Sequence, residues 1–260
     1  MSEGFEDYRD RYRNIRMERE DGILLVALHT NGGPFVNSGP AHRELAYALT
    51  YIARDPENRI MIFTGTGREF CTQTDSSSMP DLDSPEGWYQ ITVEGKRIIQ
   101  GMLDIEIPVI SVVNGPVTRH SELLLLADMV LAAESATFQE GTHLPRMVPG
   151  DGMHVVWPHL LGDIRARYFL LTGQVIDAWE AKRLGIVNEV LPDGEVLDRA
   201  RDLARGLAGV PDVTLRYTRA LFTQRIRRLV NEQLPYGLAL EGLSRLAAPN
   251  MKYGADRPTL

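Results

Sequence analysis

Residues 107–133 of the chain, IPVISVVNGPVTRHSELLLLADMVLAA, decide the fold. Pro108–Val113 is a short apolar run that ends at an Asn-Gly pair, as expected of a buried strand followed by a turn. Glu122–Ala127 is predicted to be a buried helix, and Met129–Ala132 is a second apolar run of strand length. A strand, a helix and a strand in this order predict one βα unit of a layered α/β fold.

The segments upstream of this stretch show the same alternation. Ile60–Phe63 and Ile23–His29 are apolar runs of strand length, and the first ends at the glycine-containing turn 64–67. His42–Arg54 has its apolar residues at helical spacing, and Trp88–Leu103 is predicted to be a second helix. The upstream segments therefore extend the same α/β core.

The chain changes character after Leu191. Residues 192–194, Pro-Asp-Gly, form a turn, and the sequence up to about Leu246 has helical periodicity, many arginines and no strand signal. We therefore divide the chain into a core domain, residues 1–191, and a helical C-terminal region, residues 192–260. The second region is too thin to hold its own core. We expect it to pack on the core domain or on another subunit, and to serve oligomerisation and closure of the site.

Composition is typical of an ordinary globular protein. The chain has 260 residues, 43% of them hydrophobic, a net charge of −7 and a sequence pI of about 5.4. An acidic surface repels phosphate groups, so we expect no nucleic acid and no membrane as a partner. The single cysteine, Cys71, excludes an internal disulfide and suits a reducing compartment. The charged N-terminus and the lack of an apolar run of roughly 18 residues predict a cytoplasmic location.

Five stretches of the chain, in this order, resemble the crotonase superfamily of enoyl-CoA hydratases and isomerases. They are residues 63–71 (FTGTGREFC), 107–115 (IPVISVVNG), 127–138 (ADMVLAAESATF), 148–152 (VPGDG) and 171–190 (LTGQVIDAWEAKRLGIVNEV). The resemblance implies the crotonase fold, in which repeated ββα units form a layered spiral core. It also implies a homotrimer or a dimer of trimers.

Two departures from this superfamily fall where its CoA-dependent members bind the thioester. Residues 70–75 read FCTQTD instead of a Phe-Ser/Cys-Ala-Gly-Ala-Asp pattern, and a glycine-rich turn is replaced by residues 116–120, PVTRH. Loss of glycines restricts positive φ and close approach of the backbone to a ligand. The rebuilt site resembles that of one branch, 6-oxocamphor hydrolase and the related β-diketone hydrolases. Matching stretches include residues 114–120 and 148–159.

The resemblance to this branch implies a set of site residues, namely His42, His120, His143, Asp151 and Glu241. The Asp151 carboxylate can bind one nitrogen of the His143 imidazole, fix its tautomer and raise the basicity of the other nitrogen. His143 is therefore the predicted general base, and His120 is predicted to stabilise the substrate oxyanion together with backbone amides. For Asp151 the sequence leaves an alternative, because Asp is also a good N-cap for a helix beginning near Met153.

Several histidines and one glutamate also have structural interpretations. His42 could cap the first helix, and Glu241 could lie on a solvated face rather than contact His42 or His143. His154 and His159 lie five residues apart, which is not the i, i+4 spacing of a helical metal pair, so we interpret them as packing residues. The histidines and carboxylates show no metal-site spacing, and we expect no metal.

Further residues are predicted to shape the substrate pocket. Asn37 replaces a large aromatic residue of the branch, which disfavours a camphor-like bicyclic substrate. Met79 and Trp88 complete the predicted substrate-binding set. Glu122 is a further candidate because it aligns roughly with a catalytic glutamate of the hydratases, and Thr72 is another.

These assignments predict a retro-Claisen hydrolysis. Water deprotonated by His143 attacks one carbonyl of a cyclic 1,3-diketone, and the carbon–carbon bond breaks because the second carbonyl accepts the electrons as an enolate. Protonation gives a keto acid. The reaction needs no cofactor, and residues 64–67 lack a dinucleotide fingerprint. Two alternatives remain: an acyl-CoA hydratase or isomerase that uses Glu122, and a crotonase-like scaffold without activity.

Overall fold

The structure is a computed structural model that describes residues 4–141 and 147–246. Its strands are β1 (Ile15–Glu20), β2 (Ile23–Leu28), β3 (Phe35–Ser38), β4 (Ile60–Gly65), β5 (Cys71–Asp75), β6 (Val109–Val113), β7 (Met129–Ala133), β8 (Thr137–Phe138), β9 (Ile176–Asp177) and β10 (Glu189–Leu191). Its helices are α1 (Phe5–Tyr8), α2 (Gly39–Arg54), α3 (Pro85–Asp104), α4 (Ser121–Leu125), α5 (Met153–Leu161), α6 (Asp163–Thr172), α7 (Ala178–Arg183), α8 (Val196–Leu207) and α9 (Asp212–Arg245). A 3₁₀ turn spans Ser76–Ser78.

A six-stranded sheet with the order β1-β2-β4-β6-β7-β10 forms the first layer. The β1–β2 pair is antiparallel, and every other pair in the sheet is parallel. The apolar runs predicted to be strands form β2, β4, β6 and β7. All residues of β4 and β6 are buried, as expected of parallel strands that are covered on both faces.

Strand β1 has no counterpart among the apolar runs. It alternates buried Ile15 and Met17 with exposed Arg16 and Glu18, so it lacks the continuous apolar run of the inner strands. This pattern is typical of an edge strand with one covered face, and β1 is the edge strand next to β2.

The second layer is built from short strands. β3 pairs in parallel with β5, and β8 pairs with β9 in the antiparallel sense. Parallel bridges from Val117 to Cys71 and to Phe138 connect the two pairs. The chain therefore returns to this layer after β4 and again after β6, which brings the loops that follow these strands together.

Helices α2 and α3 pack against each other, and the long helix α9 packs on α3 and α5. The buried Arg219 anchors α9, since it donates hydrogen bonds to the carbonyl oxygens of Ile105 and Met102, at 2.7 and 3.0 Å, and pairs with Asp128. Asp128 in turn accepts a hydrogen bond from the backbone amide of Val109 at 2.7 Å. The C-terminal helix is thus tied to the start of β6.

Within residues 4–141 and 147–246, none of the helices combines the length and the apolar character that crossing a membrane requires.

Candidate active site

A cavity lies where α2, α3 and α9 meet the loops that precede α4 and α5. Its polar lining residues are Asn37, His42, Arg119, His120, Asp151 and Glu241. Its remaining lining residues are Met79, Leu82, Trp88, Ile91, Gly95 and Leu238. The structure therefore brings together the predicted residues Asn37, His42, Met79, Trp88, His120, Asp151 and Glu241. The predicted base His143 lies outside the described residues.

Helix α3 supplies one side of the cavity. Its N-cap Ser84 accepts a hydrogen bond from the amide of Gly87 at 3.0 Å, and Pro85 follows as its first residue. Trp88, Ile91 and Gly95 follow at intervals of three and four, so they share one face of the helix. The helical period predicts this face, although only Trp88 was predicted to contact substrate.

The loop that carries His120 is tied to the turn after β4. The side-chain amide of Asn114 donates hydrogen bonds to the carbonyl oxygens of Gly67 and Glu69, at 3.0 and 2.9 Å. Its oxygen accepts a hydrogen bond from the amide of Gly65 at 3.3 Å. The Asn-Gly pair that ends the β6 run therefore holds two loops at the same edge of the sheet.

His120 itself adopts a left-handed backbone conformation, with φ 57° and ψ 31°, as the residue that precedes α4. The loss of glycines in this turn predicted a restriction of positive φ, and the structure differs from that prediction. Histidine tolerates the left-handed region better than most residues, so position 120 can adopt a positive φ without being glycine. Nδ1 of His120 lies 3.0 Å from Oε1 of Glu122, a contact across the start of α4.

Glu122 is buried behind His120 and does not line the cavity. Burial raises its pKa, the nearby Asp151 raises it further, and the contact with His120 opposes both effects only in part. Among the described residues, its Oε2 atom is buried and has no hydrogen-bond partner. Because a charge on that oxygen would be uncompensated, the arrangement favours a neutral carboxyl group that donates a hydrogen bond to Nδ1 of His120.

Asp151 reaches the cavity from a loop that packs tightly on α9. A Cβ atom at Gly150 would lie 2.1 Å from the carbonyl oxygen of Gly237, so only glycine allows this approach. The amide of Val148 also donates a hydrogen bond to the hydroxyl of Ser244 at 3.0 Å. The residue that caps α5 is Gly152, and Asp151 lines the cavity instead of capping the helix.

His120, Glu122 and Asp151 form a compact cluster in which one ligand-type atom of each lies within 4.8 Å of the others. One imidazole and two carboxylates form a set of ligands that can bind a divalent cation. The same closeness of two carboxyl groups is one cause of the raised pKa of Glu122. The sequence spacing of these residues did not indicate that they meet.

His42, in the first turn of α2, faces His120 across the cavity with ring centroids 6.1 Å apart. Its Nδ1 atom lies 3.0 Å from Oε2 of Glu94, so Glu94 rather than Glu241 is the carboxylate at His42. The sequence pattern predicted no role for Glu94. A signal was present, because Glu94 interrupts the buried stripe of α3 that includes Ile98.

Other candidates have structural roles. Thr72 does not line the cavity, and its hydroxyl donates to the carboxylate of Glu69. Cys71 is buried, and burial raises the pKa of its thiol to about 12, which makes it a poor nucleophile. His154 contacts the carbonyl oxygens of Pro149 and Gln233, at 2.9 and 3.3 Å, so it links the Asp151 loop to α9.

Comparison with known proteins gives three kinds of match. A family model described as enoyl-CoA hydratase/isomerase matches residues 20–241. A probable enoyl-CoA hydratase of Rhodobacter capsulatus is 30% identical over 88% of this chain and 87% of its own length. The 1,2-epoxyphenylacetyl-CoA isomerase of Escherichia coli K12 is 30% identical over 90% of each chain.

A solved structure is more similar still. It is a β-diketone hydrolase from the cyanobacterium Anabaena sp. PCC 7120, bound to (S)-3-oxocyclohexyl acetic acid. The two chains are 45% identical, the match covers 94% of this chain and 98% of the other, and the TM-score is 0.92.

Proposed function

The chain belongs to the enoyl-CoA hydratase/isomerase, or crotonase, family, and we propose that it is a hydrolase that uses water to cleave a carbon–carbon bond of a 1,3-diketone. The similarity to a β-diketone hydrolase over 94% of the chain supports this proposal. The acid bound to that relative carries a ketone and a carboxyl group. These are the two groups that addition of water across the carbon–carbon bond of a cyclic diketone leaves in one product.

The observation that carries the proposal is the arrangement of His120 and Asp151 in one cavity, with buried Glu122 at 3.0 Å from the imidazole. A neutral Glu122 that donates to Nδ1 leaves the other nitrogen of His120 protonated. That N–H is a hydrogen-bond donor for an oxygen that becomes negative during the reaction. Removal of one such donor typically costs about 3–4 kcal/mol of transition-state stabilisation.

The proposed hydrolysis has three steps. The predicted base His143 takes a proton from water while the water oxygen bonds to one carbonyl carbon, and Asp151 is the carboxylate predicted to assist it. The tetrahedral intermediate collapses, the bond from that carbon to the central carbon breaks, and its electron pair forms the enolate of the second ketone. The central carbon then takes up a proton, which gives a keto acid. The substrate is its own electron sink, and the placement of Asp151 in the cavity supports its part in this scheme.

The apolar part of the cavity suits the carbon skeleton of such a substrate. Met79, Leu82, Trp88 and Leu238 offer nonpolar contact, and polar residues such as His120 and Asp151 line the same cavity. Polar groups that fix the orientation of a ligand, beside apolar side chains that contact its carbon skeleton, are typical of sites for small organic molecules. We therefore propose a small diketone as the partner of this site.

A hydratase or isomerase of acyl-CoA thioesters is the second candidate function. The observation in its favour is Glu122, which aligns with a hydratase glutamate and lies in the cluster with His120 and Asp151. Against it, Glu122 is placed behind His120 and is not among the cavity-lining residues. A carboxyl group in that position contacts an imidazole and not a substrate.

The test is an assay of the purified protein on a panel of cyclic and linear 1,3-diketones and on crotonyl-CoA. We expect the protein to hydrolyse at least one diketone, with release of one equivalent of acid, and to leave the thioester unhydrated. His120→Ala should lower the diketone rate by about 10²–10³-fold. His159→Ala, a histidine on α5 outside the cavity, is the matched control and should retain the rate. Hydration of crotonyl-CoA without diketone turnover would support the second function. The absence of both activities would support a scaffold.

A further inference from the structure

A buried hydrogen-bond network centred on Glu94 lies behind His42. Oε2 of Glu94 contacts Nδ1 of His42 at 3.0 Å, and Oε1 accepts hydrogen bonds from Nε of Arg43 at 3.0 Å and Nε2 of Gln90 at 3.1 Å. Burial acts to raise the pKa of Glu94, but these three hydrogen bonds hold it below its ordinary value. Glu94 is therefore an ionised carboxylate, which accepts hydrogen bonds and donates none.

An ionised Glu94 determines the tautomer of His42. Because the carboxylate can only accept, Nδ1 of His42 carries the proton and Nε2 carries the lone pair. Burial lowers the pKa of His42, so the ring is neutral near pH 7. Among the residues that the structure describes, none makes a hydrogen bond to Nε2 of His42.

The residue after Glu94 leaves space at this nitrogen. Gly95 lies in the interior of α3 and lines the cavity. Among the described residues, and apart from α3 itself, the one atom within 4 Å of a Cβ atom built on Gly95 is Nε2 of His42, at 4.0 Å. Glycine is among the least favourable residues for a helix interior. At Gly95, the absence of a side chain leaves room beside the imidazole of His42.

We infer that Glu94 is a positioning residue for His42, and that Nε2 of His42 and the space beside Gly95 form a subsite that accepts a hydrogen bond from an O–H group. This inference rests on the proposed function, in which the O–H belongs to the attacking water or to the enol form of the substrate. His42 and His120 then have opposite tasks. Each is set by the glutamate behind it: His42 accepts a hydrogen bond, and His120 donates one.

Glu94→Gln tests the assignment directly. Arg43 and Gln90 both donate to the same oxygen, so that position must stay an oxygen, and the new NH₂ group must face Nδ1 of His42. The variant therefore forces the proton of His42 from Nδ1 to Nε2. We expect the ¹⁵N chemical shifts of Nδ1 and Nε2 of His42 to exchange. We also expect kcat/KM to fall at least 10-fold, with a thermal midpoint of unfolding near that of wild type. Glu86→Gln, at an exposed position of the same helix, should change neither.

Gly95→Ala is the second test. The added methyl group fills the space beside Nε2 while alanine favours the helix, so we expect KM to rise at least 10-fold with a thermal midpoint that is unchanged or higher. Unchanged ¹⁵N shifts in Glu94→Gln, or an unchanged KM in Gly95→Ala, would overturn the inference.

A 2,2-dimethyl diketone, which cannot enolise at its central carbon, identifies the source of the O–H group. An equal loss of kcat/KM in Glu94→Gln for this substrate and for one that carries hydrogen at that carbon assigns the O–H to water. A loss confined to the second substrate assigns it to the enol. If the wild-type protein hydrolyses no diketone, the proposed function fails, while the ¹⁵N shifts still decide whether Glu94 sets the tautomer of His42.

Discussion

Replacement of Glu122 by glutamine should leave most of the activity intact, although the residue is buried in the centre of the site. Its Oε1 atom lies 3.0 Å from Nδ1 of His120, and its raised pKa indicates a neutral carboxyl group that donates to that nitrogen. A glutamine side chain has nearly the same shape and can present its NH₂ group to Nδ1. The Nε2–H tautomer of His120 is then preserved, and we expect kcat to fall less than about 10-fold, the change that about 1.4 kcal/mol produces.

Glu122→Leu supplies the matched comparison, because it keeps similar bulk but offers Nδ1 no hydrogen-bond partner. His120 can then carry its proton on either nitrogen, and the oxyanion loses a fixed donor. Loss of one preorganised donor typically lowers kcat by about 10²–10³-fold, so the two variants should differ by at least about 10-fold. Steady-state kinetics on the best diketone, with circular dichroism to confirm folding, measure this difference.

A loss in Glu122→Gln as large as that in Glu122→Leu would refute the reasoning. It would mean that the ionised carboxylate is needed, either to stabilise a protonated His120 or to act as a base. In that case the hydratase-like use of Glu122 would be the better account of the site.

The pH dependence of stability gives a second measurement on the same variant. A carboxyl group whose pKa is raised in the folded state stabilises the fold below its unfolded pKa of about 4.3, and this contribution is lost as pH rises through the folded pKa. Glutamine does not titrate. The thermal midpoint of Glu122→Gln should therefore rise relative to that of wild type as the pH increases from 5 to 8. A difference between the two midpoints that does not change with pH would contradict a raised pKa.

Three further predictions concern the base, metal ions and assembly. Asp151→Asn should stay folded and lose about 10²–10⁴-fold in kcat, and His143→Ala should lose at least as much; near-wild-type turnover by Asp151→Asn would remove this pair from the mechanism. Diketone hydrolysis should be unaffected by a chelator, and loss of activity that zinc restores would instead assign a cation to the cluster around Glu122. Light scattering should give three or six times the chain mass of 29.1 kDa, since α9 exposes apolar residues such as Phe222; a monomer at micromolar concentration would contradict this assembly.

The α/β class of the fold was predictable from local pattern, whereas the crotonase fold was implied by the resemblance of five stretches to that superfamily. Buried parallel strands need continuous apolar runs, so Ile60–Phe63 and Met129–Ala132 indicated their strands directly, and the family match confirms the fold. An edge strand such as β1 needs only one apolar face, and for this reason its short alternating segment was not predicted.

Most residues of the cavity were predictable because the resemblance assigns a role to each matching position separately. Asn37, His42, His120 and Asp151 come from separate segments, and no local pattern relates them. The tertiary structure places all four in one cavity, whereas Thr72 contacts Glu69 outside it.

The sequence by itself determined the fold class and the chemical types available to the site: imidazoles, carboxyl groups and apolar side chains. Only the tertiary structure decided which carboxyl group each imidazole contacts. Glu94 reaches His42 from 52 residues away because α2 packs on α3, and its three hydrogen-bond donors keep it ionised. Glu122 lies two residues from His120, yet burial and the nearby Asp151 raise its pKa. Charge state depends on burial and on neighbours in space, and neither is a property of a residue's place in the sequence.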